Sequence, residues 1–351
     1  MKISSLTLHN FKRFKELQIN FPLAEDGQPV SRLLIEGEAG IGKTSVLQAI
    51  ALCLSLAAGR TRGVDSFEWK GWVPGRFERW GRPLVEMVVH FDAAEIAATQ
   101  EAFSRWQSAN RHHMGEREFV APGDSPVVRL RLEGQRCWAD SPAEYFQFRG
   151  RHYARQLLKS DPSARDLFDR LPGVFWYDHY RNLANQPTDP RAETSHYHHV
   201  GVVRLRDHLN SWQIKRLAKG APNQDFLMHL ENLYKQMFPG HSFGLPEPMY
   251  QSRDPSAEDF WFILSDGRLT YDIEEMSAAE QSIFPMLYEF VRLQIQNSVV
   301  LIDEVDMNLS PAMTERFVGL LPGMLPRCQI LMSAHGEVVP RLLPERERLA
   351  L

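Results

Sequence analysis

The stretch EGEAGIGKTSV, from Glu36 to Val46, constrains this chain more than any other. Gly37, Gly40, Gly42, Lys43 and Thr44 satisfy the spacing GxxxxGK(S/T). The apolar run Leu33-Leu34-Ile35 precedes it and the helical run SVLQAIALCLSLAA follows. This order predicts a strand, a loop and a helix, the context in which the spacing makes a phosphate loop. Glycines let backbone N–H groups turn inward around phosphate oxygens, and the helix N-terminus adds partial positive charge. Lys43 would reach the β- and γ-phosphates, the Thr44 hydroxyl would ligate Mg²⁺, and Ser45 joins them in the first helical turn. We therefore expect a bound nucleotide with Mg²⁺ at this loop.

Composition bounds the rest. The 351 residues suffice for one large domain or two coupled lobes. A formal net charge of −4 excludes bulk charge as a way of coating nucleic acid and leaves room for a local basic patch. Cys53, Cys137 and Cys328 are widely separated and form no CxxC pair, which predicts reduced thiols in a cytoplasmic protein. MKISSLTLHNFKRF has no signal-peptide core, and the run from Val46 to Ala58 is too short to span a membrane.

The C-terminal third narrows the class. SVVLIDEVDMNLSP, Ser298 to Pro311, reads as a buried strand ending in Asp303 and Glu304. An acid at that end of a doubly wound sheet lies near the phosphates, where Asp303 can hold Mg²⁺ and Glu304 can polarise the attacking water. CQILMSAHGE is a second buried strand ending in Ser333, Ala334 and His335, with the histidine placed to sense the γ-phosphate. MSAAEQ, Met276 to Gln281, opens a helical pattern in which Ser277 and Glu280 form a capping box. A capped helix start is also an anion site, so both readings stand.

In the order NFKRF, GEAGIGKT, MSAAEQ, VVLIDEVD and the SAH histidine, the chain resembles ABC-type ATPases of the RecF/SMC/OLD class. More closely, it looks like the stand-alone predicted ATP-binding proteins of that class found with prokaryotic defence and DNA-maintenance genes. The resemblance implies a two-lobed α/β head with a mixed or parallel core sheet, an accessory antiparallel β-region and a helical insertion, without a long coiled coil. It also implies that MSAAEQ is the signature loop, so that Ser277, Ala279 and Glu280 meet the γ-phosphate bound to the opposite copy in an ATP-sandwiched homodimer. By the same match Lys12 and Arg13 contact nucleotide phosphates, and Asp306 meets the partner head. Two departures point to slow hydrolysis: Ala279 replaces the usual glycine, and Ser66 to Pro83 contains no lobe-connecting Gln.

We expect lobe I over residues 1–135, a mainly helical insertion or lid over 136–241, and lobe II over 242–351. VEMVVHFD and VVRLRLEG alternate as half-exposed strands around a helix from Ala93 to Ala109, and LPGVFWYDHYRN holds another buried strand. NQPTDPRAETSHYHH reads as a loop or lid. Helices follow at about Val202 to Lys219 and Gln224 to Phe238, and a hairpin turns at Asp266-Gly267.

Two segments have the chemistry to touch DNA. Arg60, Arg62, Lys70, Arg76, Arg79 and Arg82 interleave with Trp69, Trp72 and Trp80; Asp65, Glu68 and Glu78 dilute the charge, and packed tryptophans are the plainer reading. Arg204, His208, Lys215 and Lys219 share one helical face, which could equally be solvated. His112, His113, His196, His198 and His199 match no metal-ligand spacing. The chain closes soon after His335, so we expect no C-terminal nuclease domain, and any cutting would fall to an effector partner such as a nuclease.

These readings converge on an ATP-binding and hydrolysing switch that dimerises head to head. It would couple closure to DNA binding or to control of an effector in defence or DNA repair. A non-hydrolysing ATP-bound scaffold is the alternative, and a transporter ATPase subunit is disfavoured by the NFKRF element and the long insertion.

Overall fold

The structure is a computed structural model; it describes every residue except 62, 68, 70–71, 115–118, 180–201, 220–224 and 251–258. Arg62, Lys70, His196, His198, His199 and the polar stretch 185–199 lie outside the described residues, as do the side chains of His112, His113, Arg204 and Lys219. The chain divides into two compact units. Met1–Asp178, Ile295–Val305 and Leu325–Leu351 form the first, and His179–Gln294 with Asp306–Met324 form the second. The units are therefore not contiguous thirds, because the chain passes from one to the other four times.

The first unit opens with strands β1 (Lys2–Phe11), β2 (Phe14–Asn20) and β3 (Arg32–Glu36), then helix α1 (Lys43–Ala57). Next come β4 (Leu84–His90), α2 (Ala93–Met114), β5 (Val127–Glu133) and β6 (Arg136–Ala139). The short helices α3 (Pro142–Phe146) and α4 (Gly150–Leu157) lead to β7 (Val174–Tyr177). The second unit contributes α5 (Val202–Lys219), α6 (Phe226–Met237), β8 (Ser242–Phe243), β9 (Glu247–Pro248) and β10 (Phe260–Trp261). It continues with β11 (Ile263–Ser265), β12 (Thr270–Asp272) and α7 (Ala278–Arg292). The chain then returns to the first unit for β13 (Val299–Ile302), leaves for α8 (Pro311–Met324), and finishes with β14 (Gln329–Ser333), α9 (Val338–Leu342) and β15 (Arg348–Ala350).

Two five-stranded sheets build the first unit. The antiparallel sheet, ordered β2-β1-β4-β5-β6, carries the alternation seen in the sequence: Val85, Met87 and Val89 are fully buried while their neighbours are half exposed. Phe11 pairs with Phe14 across its first hairpin, leaving Lys12 and Arg13 as the turn. The other sheet, ordered β15-β3-β14-β13-β7, is wholly parallel. Every residue of β7, β13 and β14 is buried, which accounts for the apolar runs VFWY, VVLI and the ILM of QILMS. Helix α1 is buried without interruption from Val46 to Ala57, which accounts for a sequence apolar on all sides. Gln329, fully buried, accepts from Ile3 N at 2.7 Å and donates to Ile3 O at 2.9 Å, joining β14 to β1. Cys53 and Cys137, far apart in sequence, are free thiols whose sulfurs approach to 4.0 Å.

In the second unit β12, β11 and β8 form a small antiparallel sheet. Its hairpin turns at Asp266-Gly267, where Asp266 Oδ1 accepts from Arg268 N and Leu269 N, both at 2.8 Å, and Gly267 takes φ 84°. Arg206 on α5 forms a buried ion pair with Asp272 at 2.6 Å. The longest helix among the described residues, α2, has 22 residues, so they contain no long coiled coil. None of their helices is long and apolar enough to cross a membrane.

Candidate nucleotide site

Between β3 and α1 the loop behaves as its glycines require. Gly37, Gly40 and Gly42 take φ of 143°, 76° and 116°, values that L side chains rarely adopt. A Cβ on Gly42 would sit 2.5 Å from Phe14 Cζ and 2.9 Å from Arg13 Cδ, so no other residue fits there. No side chain caps α1; Gly42 holds the cap position, leaving the first N–H groups to the loop cavity. Lys43 Nζ donates to Gly37 O at 2.7 Å and to Glu38 O at 3.2 Å, curled over the loop. Ser45, half buried, follows in the first turn.

β14 lies between β3 and β13, and residues at the ends of the three strands and the start of α1 meet. Thr44 Oγ1 donates to Asp303 Oδ2 at 2.8 Å and lies 3.1 Å from Oδ1. Ser333 Oγ donates to Asp303 Oδ1 at 2.6 Å and accepts from Glu304 N at 2.9 Å. Asp303 is fully buried. Glu304 stands at φ 51°, a left-handed conformation uncommon for a residue with a side chain. Its carboxylate lies 2.8 Å from His335 Nε2. His335, expected to meet the γ-phosphate, is thus in direct contact with Glu304.

Lys12, itself at φ 51°, bonds the Gln48 carbonyl and lies 5.3 Å from the centroid of the Trp72 ring. Burial pulls its ammonium down to about 8, against the opposing charge of Asp303. Arg13 is exposed, with Nη1 3.9 Å from where a Cβ on Gly40 would stand. The turn of the first hairpin therefore flanks the phosphate loop.

Sequence reasoning named Ser333 only as a strand end and missed Gln48. A small polar residue closing the strand beside the acidic pair was the signal for the first. For the second it was the position four residues after Thr44, on the same helical face.

The second unit holds Ser277, Ala279, Glu280 and Asp306. Ser277 caps α7, and the reciprocal bonds of the capping box are formed: Ser277 N donates to Glu280 Oε2 at 2.9 Å and Glu280 N to Ser277 Oγ at 3.4 Å. Ser277 and Ala278 are exposed, Ala279 is half buried and Glu280 is buried. Glu280 also accepts from the hydroxyls of Tyr234 and, at 2.6 Å, Tyr271. Burial pushes its carboxyl up; these hydroxyls outweigh that and hold it below the usual range. Asn308, two residues beyond Asp306, donates to Ser282 Oγ at 2.9 Å.

The two basic segments separate on inspection. Trp69 and Trp72 are buried in an aromatic cluster with Phe11, Phe67 and Phe77, so packing claims them and stacking on a ligand does not. Trp80 is 58% exposed, and Arg76 and Arg79 are exposed beside it. On α5, Lys215 is exposed, whereas His208 turns inward to within 2.5 Å of the Tyr288 hydroxyl and leaves the proposed basic face.

A family model described as "AAA domain, putative AbiEii toxin, Type IV TA system" matches residues 138–338, more than half of the chain. The protein belongs to this family. A second model, described as "AAA domain", matches residues 5–79 of this AAA-family chain. The Septu protein PtuA of Bacillus mycoides (strain KBAB4) is 21% identical over 98% of the chain; the chain spans 40% of that relative's length. Among solved structures, an Smc head bound to the C-winged helix domain of ScpA aligns at TM-score 0.55 and 15% identity, over 97% of this chain and 91% of that one. The SMC head domain from Thermotoga maritima aligns at TM-score 0.44 and 15% identity, over 97% and 92%. The first of these shows that the AAA-family chain has an SMC head-like α/β fold, so the resemblance to the RecF/SMC class holds at the level of the fold.

Proposed function

We propose that the protein is an ATP-hydrolysing switch whose two copies close head to head around ATP. This closure would be coupled to nucleic-acid binding or to control of an effector in defence or DNA maintenance. One observation carries the reading: the bonded chain from Thr44 through Asp303 and Ser333 to the Glu304 backbone, with His335 on the Glu304 carboxylate. Hard oxygen donors, Thr44 Oγ1 and the Asp303 carboxylate, stand 2.8 Å apart, and that donor set suits Mg²⁺, which when bound would neutralise phosphate charge. Lys43 would exchange its two backbone carbonyls for phosphate oxygens. Glu304, held at its backbone by Ser333 and at its carboxylate by His335, would orient water and accept its proton. His335 would transmit the presence of the γ-phosphate to Glu304.

Support for the dimer comes from the start of α7, where Ser277 and Ala278 are exposed at a helix N-terminus that the Ser277–Glu280 capping box holds in place. An ATP-bound scaffold that does not turn over is favoured by the methyl group of Ala279 where the class has glycine, and by the lobe-connecting Gln that Ser66 to Pro83 lacks.

The deciding experiment measures ATP turnover of the wild type and the solution mass of Glu304→Gln with and without Mg²⁺–ATP. Turnover in the wild type, and mass that doubles only with ATP and not in Ser277→Arg, is the expected result. Mass indifferent to ATP would sink the dimer; doubling without wild-type turnover would favour the scaffold.

A further inference from the structure

Beside the phosphate loop the first unit has a cleft of about 360 Å³, lined by Lys12, Arg13, Trp72, Arg76, Phe77 and Trp80. Among the described residues no acidic side chain lines it. Glu78, the nearest acid in sequence, points away, with Oε1 3.1 Å from where a Cβ on Gly134 would stand. Trp72 and Phe77 are core residues packed at 5.3 Å, so they form a firm wall. Trp80 and Val73 at the rim are each 58% exposed, an unusual state for side chains of their size. The Arg79 guanidinium lies 5.1 Å from the Trp80 ring centroid.

Aromatic faces combined with cations, and no carboxylate, match a ligand that has a flat base and an anionic phosphate. The sources are the base of ATP held in the phosphate loop, or a nucleotide within a strand. The positive charge continues beyond the cleft to the exposed Arg79, whereas Arg82 is paired with Glu133 at 3.2 Å. A polyanion needs such a track and ATP does not. A duplex hides its base faces, so stacking requires unpaired bases.

We propose that this cleft takes an unpaired nucleotide of a single-stranded nucleic acid, its base stacked on Trp80 and its phosphates on Arg13 and Arg76. This names the nucleic acid left open above and rests on that reading for the class of partner alone. Since the chain carries a net charge of −4, this local cluster supplies the attraction that bulk charge does not.

The test titrates a fluorescein-labelled oligothymidylate, an oligouridylate and a duplex of equal length into the full chain without nucleotide, read by anisotropy. A fluorescent ATP analogue is titrated in parallel. Trp80→Ala should weaken single-strand binding roughly tenfold while Trp80→Phe retains most of it. Binding of the ATP analogue should be unchanged in both, and Lys43→Ala should leave the oligonucleotide bound. Trp80 is exposed, so circular dichroism of both variants should match the wild type. Three results would each overturn the proposal: duplex bound as well as single strand, Trp80→Ala without effect on the strand, or Trp80→Ala loosening only the ATP analogue. The last would give the cleft to the base of ATP. Failure of the ATP switch would appear in the mass measurement, which involves no oligonucleotide.

Discussion

Burial brings the Lys12 ammonium from its usual 10.5 down to about 8, with Asp303 pulling the other way. A ligand phosphate next to it favours the charged form, so the sign of the pH dependence follows. Affinity for a nucleotide is fullest below pH 8 and falls as pH rises through that value, by about tenfold if one charge-assisted bond is lost. Lys12→Arg, which does not titrate in this range, should flatten the profile. Titration of a fluorescent ATP analogue from neutral to alkaline pH checks both; identical profiles for the two proteins would show that Lys12 does not touch the ligand. Gly42 is the counterpart at the level of shape. Its φ of 116° and its approach to Phe14 and Arg13 leave no room for a methyl group, so the hairpin turn and the phosphate loop fix each other.

Among the elements, β14 does the most for the site, since it separates β3 from β13 and supplies Ser333. Ser333→Ala would remove a 2.6 Å bond to a fully buried carboxylate and orphan the N–H of Glu304. The expected cost is about 1–3 kcal/mol in thermal unfolding, with ATP turnover reduced more than ATP affinity. Unaltered turnover in a destabilised variant would assign Ser333 to the fold alone. The strands themselves were legible: VVLIDE and VFWY read as buried, VEMVVHFD and VVRLRLEG as alternating, and the hairpin at Asp266-Gly267 as a turn, because burial and φ leave marks on local sequence. Pairing left none. Nothing in VFWY announces that Tyr177 stands opposite Ile302, nor does QILMS show that Gln329 would bond β1 from a fully buried position. The tryptophans misled for the same reason, since Trp72 and Trp80 look alike in sequence and only packing tells core from rim.

For the whole molecule, the four crossings between units set what can be cut. β3 has β14 and β15 as neighbours and β7 has β13, so fragments 1–241 and 242–351 each contain strands of the parallel sheet without their partners. Expressed apart, they should lack stable structure by circular dichroism; expressed together, they should regain binding of the ATP analogue. Wild-type affinity in 1–241 alone would contradict the strand order. The same connectivity imposes a schedule on synthesis. Thr44 is made 259 residues before the Asp303 that it bonds, an interval of roughly 10–50 s on the ribosome. Throughout it the nascent chain displays a phosphate loop whose β-strand has bare edges on both sides, open to the mispairing that chaperones exist to counter.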